Sequence, residues 1–178
     1  VEVDANLRGD FAGGRWNINL NGSFISLFKT RPLEALPYGP NLVGKYVQYY
    51  NLPIRWKHTL NFGYSRGNWV HSLSQIHRDG YFDELPVSAT YSPAGSDKVV
   101  GYLPPGFKPR VDGYTIYNYN VTWTGIKDLK LGFGIKNLAD KDPPFTAHQN
   151  DFAAGAGWEP RIADPRGRAF TLLAEYTF

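Results

Sequence analysis

Ile54-Arg55-Trp56-Lys57-His58-Thr59-Leu60-Asn61-Phe62-Gly63-Tyr64-Ser65 decides the fold. Ile54, Trp56, His58, Leu60, Phe62 and Tyr64 alternate with Arg55, Lys57, Thr59, Asn61, Gly63 and Ser65. A period of two places the first set on one side of a β-strand and the second on the other. Gly67-Asn68 follows, a dipeptide suited to a two-residue hairpin reversal. Trp69–Phe82 therefore reads as the returning strand. Its pattern is weaker, because His71 and Gln75 share the face of Leu73.

The alternation recurs on both sides. Val1, Val3, Ala5 and Leu7 oppose Glu2, Asp4, Asn6 and Arg8, and after a turn at 9–14 Trp16, Ile18, Leu20, Gly22 and Phe24 oppose four polar residues. Downstream, Tyr117, Tyr119, Val121 and Trp123 are in phase within Thr115–Thr124, and Leu129, Leu131, Phe133 and Ile135 follow a turn at 125–128. Arg168–Phe178 closes the series. The connections alternate short (9–14, 67–68, 125–128) and long (about 32–52, 83–110, 139–167). Up-and-down strands with short turns at one end and long loops at the other are the signature of an outer-membrane barrel. Several strands reach ten residues, as a tilted spanning strand requires, against about 5–6 in an average soluble sheet. The expected fold is an all-β antiparallel transmembrane β-barrel segment of about seven strands.

Composition agrees. Among 178 residues there are 12 Tyr, 11 Phe and 5 Trp, with 19 Gly and 13 Pro to punctuate turns. Mean hydropathy is −0.39, which suits a barrel whose polar and apolar positions alternate. A net charge of +3 without any Lys/Arg block speaks against nucleic acid. No cysteine is present, so disulfides and thiolate chemistry are excluded. The chain begins Val1-Glu2-Val3 with no starting methionine and no signal peptide, so an exported protein is expected to extend upstream. Seven strands also leave two edges that hydrocarbon does not tolerate.

The C-terminal quarter carries a resemblance. Leu131-Gly132-Phe133-Gly134-Ile135-Lys136-Asn137-Leu138-Ala139-Asp140-Lys141-Asp142-Pro143-Pro144-Phe145 resembles the penultimate-strand segment G-x-x-N-L-x-D-x-x-P of TonB-dependent outer-membrane receptors. A long loop then ends in Asp164-Pro165-Arg166-Gly167-Arg168 before the terminal strand, as in that family. Asn51–Lys57 is similar to the segment that opens a late barrel strand. The close match covers residues 129–178; the remainder matches in pattern. The resemblance implies that residues 1–178 are the C-terminal part of a receptor barrel domain of 22 strands around a plugged lumen, with the plug domain and early strands absent. It implies TonB-dependent uptake of a scarce nutrient (a siderophore, cobalamin or an oligosaccharide) in the outer membrane of a Gram-negative bacterium. The implied partners are outer-membrane lipid, the barrel-assembly machinery, the small nutrient, and the inner-membrane TonB complex acting through the missing plug.

Particular residues carry further expectations. Phe170, Leu172, Ala174, Tyr176 and Phe178 are in phase and resemble the signal read by the barrel-assembly machinery. Trp16, Trp56, Trp69, Tyr117 and Trp123 suit interfacial aromatic girdles. Arg55, Lys57, Lys130 and Lys136 fall on the expected lumen face, where they either guide an anion or pair with neighbouring groups, the second being favoured. His58, His71, His77 and His148 lack zinc-motif spacing, and Asp140, Asp142, Asp151 and Asp164 lack EF-hand spacing. Gly9–Gly14 lacks the phosphate-loop pattern. No nucleophile–base arrangement is legible, so neither an enzyme, a cofactor nor a metal is expected. The rival readings are a passive porin or small anchor barrel, and a soluble β-sandwich carbohydrate-binding module.

Overall fold

Alternation, hairpin chemistry and loop packing together produce an antiparallel meander. The computed structural model describes residues 1–47, 52–83, 90–91, 100–101, 110–146 and 157–178. Its strands are β1 (Glu2–Phe11), β2 (Gly14–Phe24), β3 (Trp56–Arg66), β4 (Trp69–Arg78), β5 (Tyr81–Phe82), β6 (Thr90–Tyr91), β7 (Val100–Gly101), β8 (Arg110–Val111), β9 (Tyr114–Ile126), β10 (Leu129–Lys136) and β11 (Ala169–Tyr176). One seven-stranded sheet runs β1-β2-β3-β4-β9-β10-β11, and β5-β8 and β6-β7 form two small ribbons. Among the described residues there is no helix, and the large sheet is not closed into a barrel: β1 and β11 are its open edges.

The three tight turns lie at one end of the sheet. Ala12 and Gly13 adopt φ of 49° and 74°, the two positive values that a type I′ hairpin needs. Strand pairing therefore continues to Phe11↔Gly14, and the expected turn at 9–14 shrinks to two residues. Gly67 (φ 54°) and Asp128 (φ 62°) serve the other two reversals. A register shift between Leu129 and Leu131 places a bulge in the β9–β10 ladder.

Two expected boundaries move for local reasons. The strand expected from Ile54 starts at Trp56, because Ile54 N–H donates to Leu52 O at 2.9 Å and the Ile54 side chain is buried among the connections. The strand expected to reach Phe82 stops at Arg78. At Gly80 the backbone passes so close to Val111 O that a side chain has no room, and Tyr81–Phe82 pairs with Arg110–Val111 instead.

The register carries a single apolar row through all seven strands: Leu7↔Ile18↔Phe62↔Leu73↔Tyr119↔Ile135↔Phe170. Directly paired residues share a face, so one side of the sheet is apolar throughout. On that side aromatic rings crowd against glycines: Trp16 at Gly9, Tyr64 at Gly14 and Trp56 at Gly22, with no space for a Cβ. The strands are also staggered. From Ile18, β2 continues to Phe24 on the long-connection side, whereas from Ile135 in the same row β10 ends at Lys136.

The buried core lies outside the body of the sheet. Tyr46, Ile54, Tyr81, Val111, Tyr114, Ile116, Ile162 and Ala163 cluster at the end opposite the tight turns, with Leu52 and Ile76 packed against them. They come from all three long connections and from the adjoining ends of β4 and β9. Ile76 and Ile116 are register partners in the phase of Ser74 and Asn118, so the connections fold onto the polar face.

Ala12 holds a conformation that costs a non-glycine residue about 1–2 kcal/mol and that asparagine tolerates. Ala12→Asn is expected to stabilise the protein by about 1 kcal/mol, read as a higher urea midpoint. An unchanged or lower midpoint contradicts the turn assignment.

Candidate functional site

Three surfaces carry the chemistry of this chain. The first is the apolar face. Phe11, Leu7, Phe62, Trp69, Phe170, Leu172 and Tyr176 are all exposed there, Leu172 at 82%. Isolated exposed apolar residues are ordinary, but a face seven strands wide is far beyond what a free monomer surface shows. Aromatic residues gather near the tight-turn end, where the Trp69 and Trp123 rings lie 6.1 Å apart and Tyr176 meets Phe178 edge to face at 5.2 Å. Trp56 lies at the other end of the same face beside Phe24. Tyr117 is nearer the middle, paired with Gln75. Phe170, Leu172, Ala174 and Tyr176 share this face along β11, with Phe178 beyond its end.

The polar residues on this face satisfy one another. Trp56 Nε1–H donates to His58 Nδ1 at 2.8 Å, so the other ring nitrogen of His58 is left to donate to Gln75 Oε1 at 2.9 Å. Gln75 Nε2 then donates to Tyr117 OH at 2.8 Å. His71 Nδ1 pairs with Tyr119 OH at 2.7 Å, and His77 contacts Thr115 Oγ1 at 2.7 Å and Asp79 Oδ1 at 3.1 Å. A polar chain whose members are all partnered is compatible with apolar surroundings. His148 lies outside the described residues.

The second surface is the polar face, lined by Asn17, Asn19 and Asn21 on β2, Asn61 on β3, and Asn118 and Asn120 on β9. The four cations singled out from the sequence have different fates. Lys130 Nζ donates to Glu175 Oε2 at 3.2 Å, and Lys136 Nζ to Asp164 Oδ2 at 2.5 Å. Arg55 precedes β3. Lys57 lies within β3 directly opposite Arg78, a neighbour the sequence did not flag because the β4 pattern is blurred.

The third is the cap formed by the long connections. The Arg161 guanidinium grips the buried Glu159 carboxylate through two arms, Nε to Oε1 at 2.7 Å and Nη2 to Oε2 at 2.9 Å, and lies over the Tyr46 ring at 5.3 Å. Glu159 holds the Arg161 proton more firmly than in a free arginine, and burial pushes the Tyr81 phenol up. Thr146 Oγ1 donates to buried Asp83 at 2.6 Å. Neither Glu159–Arg161 nor Asp83–Thr146 was legible beforehand, since their partners meet only through loop packing.

The residues of the N-L-x-D segment and of Asp164–Arg168 form a clasp at the base of this cap. Asn137, buried at φ 51°, ends β10; its side chain accepts from Lys141 N–H at 2.9 Å and donates to Lys141 O at 3.0 Å. Asp140 Oδ1 accepts the backbone N–H of Arg168 at 2.8 Å, joining the start of the third long connection to its end. Asp164 takes the side chains of Arg166 and Lys136, and these hold its carboxyl well below the usual aspartate range, Arg166 contributing most. The acids considered for calcium are thus engaged elsewhere at Asp140 and Asp164, and Asp151 lies outside the described residues. Among the described residues no three His, Cys, Asp or Glu side chains gather as metal ligands.

A depressed aspartate stabilises the fold fully above its ordinary pKa of about 4, and that contribution disappears as pH falls through the folded-state value. Asp164→Asn is therefore expected to cost about 1 kcal/mol at neutral pH, a modest figure because the carboxylate is partly solvated. The gap from the parent should close in strong acid. A gap that is the same at every pH would show that the ion pairs of Asp164 are not its source. Comparison with known proteins finds no matching family model, no matching curated protein and no matching solved structure, so the functional reading rests on these surfaces.

Proposed function

We propose that this chain is the C-terminal part of the barrel wall of a TonB-dependent outer-membrane receptor that takes up a scarce nutrient such as a siderophore, cobalamin or an oligosaccharide. The observation that carries the reading is the two-faced sheet. Seven strands expose one apolar face, keep the other polar, and gather the described parts of their long connections at one end over the polar side.

Each part has a place in that reading. An 11-residue strand such as β2 has a contour of about 36 Å, and a tilt of about 45° reduces this to ~25 Å, the height of an outer-membrane apolar band. The stagger between β2 and β10 runs in the sense of a sheared, tilted wall. The open edges of β1 and β11 call for further strands, because hydrocarbon leaves no backbone group unpaired; a 22-stranded barrel supplies them. The apolar face then meets lipid, the polar face lines the lumen, and the cap faces outward to receive the nutrient. Asn137, Asp140 and Asp164–Arg168 carry the resemblance to the receptor family, and their clasp gives those words a structural purpose. Energy enters from the inner-membrane TonB complex through a plug. Phe178, with Tyr176, Ala174, Leu172 and Phe170, presents the strand read by the barrel-assembly machinery.

Fractionation of the full-length parent protein in a Gram-negative host tests this. The expected result is an outer-membrane protein whose migration shifts on boiling, whose outer-membrane level falls several-fold on Phe178→Ser, and whose nutrient uptake stops without TonB. A soluble periplasmic protein would replace the barrel with a carbohydrate-binding module, and transport that persists without TonB would replace the receptor with a passive porin.

A further inference from the structure

We infer that the polar face carries an anion-binding site beneath the cap, built on Lys57 and Arg78, for a ligand bearing carboxylate or phosphate groups. This deepens the proposed transport function by naming a chemical class for the substrate, and it uses the face assigned there to the lumen.

The geometry is specific to this pair. Lys57 and Arg78 are direct register partners in the β3–β4 ladder, so their side chains leave the sheet side by side on one face. Like charges directly opposite each other destabilise a sheet. The other lysines of this face avoid that cost by pairing with carboxylates, Lys130 with Glu175 and Lys136 with Asp164. Among the described residues neither Lys57 nor Arg78 forms an ion pair. Three described carboxylates at that end of the sheet are engaged with other groups. Asp4 accepts from Asn21 Nδ2 at 2.6 Å, Asp79 faces His77, and Asp164 is held by Arg166 and Lys136. Glu2 stands in the same row on β1, beyond Ser23. Two strand spacings, about 9–10 Å, separate it from Lys57.

A hollow of about 180 Å³ opens at this spot, lined by Asn21, Ser23, Lys57, Thr59, Ile76 and Arg78 of the polar phase and by His58 and His77 of the other. That is room for a carboxylate or phosphate group with hydroxyl and amide donors beside the two cations. Arg78 is held in place from above, because its Nη1 donates to Ile162 O of the cap at 3.1 Å. Its remaining guanidinium donors offer the planar fork that carboxylate and phosphate oxygens match. Tyr114, the register partner of Arg78 on the far side, is anchored by its hydroxyl to Lys141 O and Asp164 O. The site therefore joins a rigid wall to the cap, where an anion entering from the loop end first meets the sheet.

Calorimetric titration of the detergent-solubilised full-length parent with citrate and with pyrophosphate, in separate runs, tests the inference. Saturable binding is expected, weakened about tenfold or more by Lys57→Gln or Arg78→Gln through loss of one charge-assisted contact. Lys130→Gln, whose cation already has a partner, should leave it unchanged. Binding of citrate alone identifies a carboxylate ligand, binding of pyrophosphate alone a phosphate ligand, and binding of both a site that reads charge. Absence of saturable binding overturns the proposal, as does an equal loss in all three variants. Among the described residues Lys57 makes no hydrogen bond to the cap, so unchanged binding in Lys57→Gln also overturns it whatever Arg78→Gln does. A parent that shifts on boiling but ignores both anions removes this site and leaves the barrel; a soluble parent that binds them removes the barrel and leaves the site.

Discussion

Six antiparallel ladders hold seven strands in a register that sends every strand's apolar phase to the same side. That register is the constraint on which the rest depends. A slip of one residue in any ladder would turn a whole strand over and put its apolar side chains among the asparagines. Two-residue reversals at 12–13 and 67–68 pin the first two hairpins, and the bulge between the Leu129 and Leu131 pairings absorbs the one irregularity. Rings crowded against Gly9, Gly14 and Gly22 add a steric lock that only this alignment permits.

The sheet inverts the usual relation between burial and core. Its apolar residues are outside, and its buried ones form a cluster in the long connections, where Tyr46, Tyr81, Ile162 and their neighbours cover Ile76 and Ile116. The cap is thus the one part of the described structure with an interior like that of an ordinary domain. It is tied to the strands by the Asn137 and Asp140 clasp and by Arg78 reaching Ile162. Under the proposed function, a firm cap above a polar wall presents a nutrient with a shaped entrance, and lipid supplies the burial that the apolar face lacks.

Much of this was legible in the sequence because alternation is a direct record of which side a residue faces. Thr115–Thr124 and 129–136 reveal their phase at once. Trp69–Arg78 does not, since His71, Gln75 and His77 occupy the apolar side. Hydropathy marks them as polar, while their hydrogen bonds to Tyr119, His58, Tyr117 and Thr115 let them remain there. That blur hid Arg78 and so the cationic pair with Lys57. Ile54 misled in the other direction: its phase fits the strand, but the turn at Leu52 draws it into the cap. Asn137 and Asp140 were visible as words of a motif, and only the positive φ of each and the meeting of chain segments 28 residues apart show what they do.

The central claim is that one face of these strands lies against lipid and the other against water. Single cysteines placed in turn along β3, from Lys57 to Ser65 in a chain that has none of its own, test it most directly once spin-labelled in the full-length protein in bilayers. The account predicts that labels at 58, 60, 62 and 64 are relaxed by oxygen dissolved in the membrane, and those at 57, 59, 61, 63 and 65 by a water-soluble paramagnetic reagent. Equal access of the aqueous reagent to both sets would contradict it.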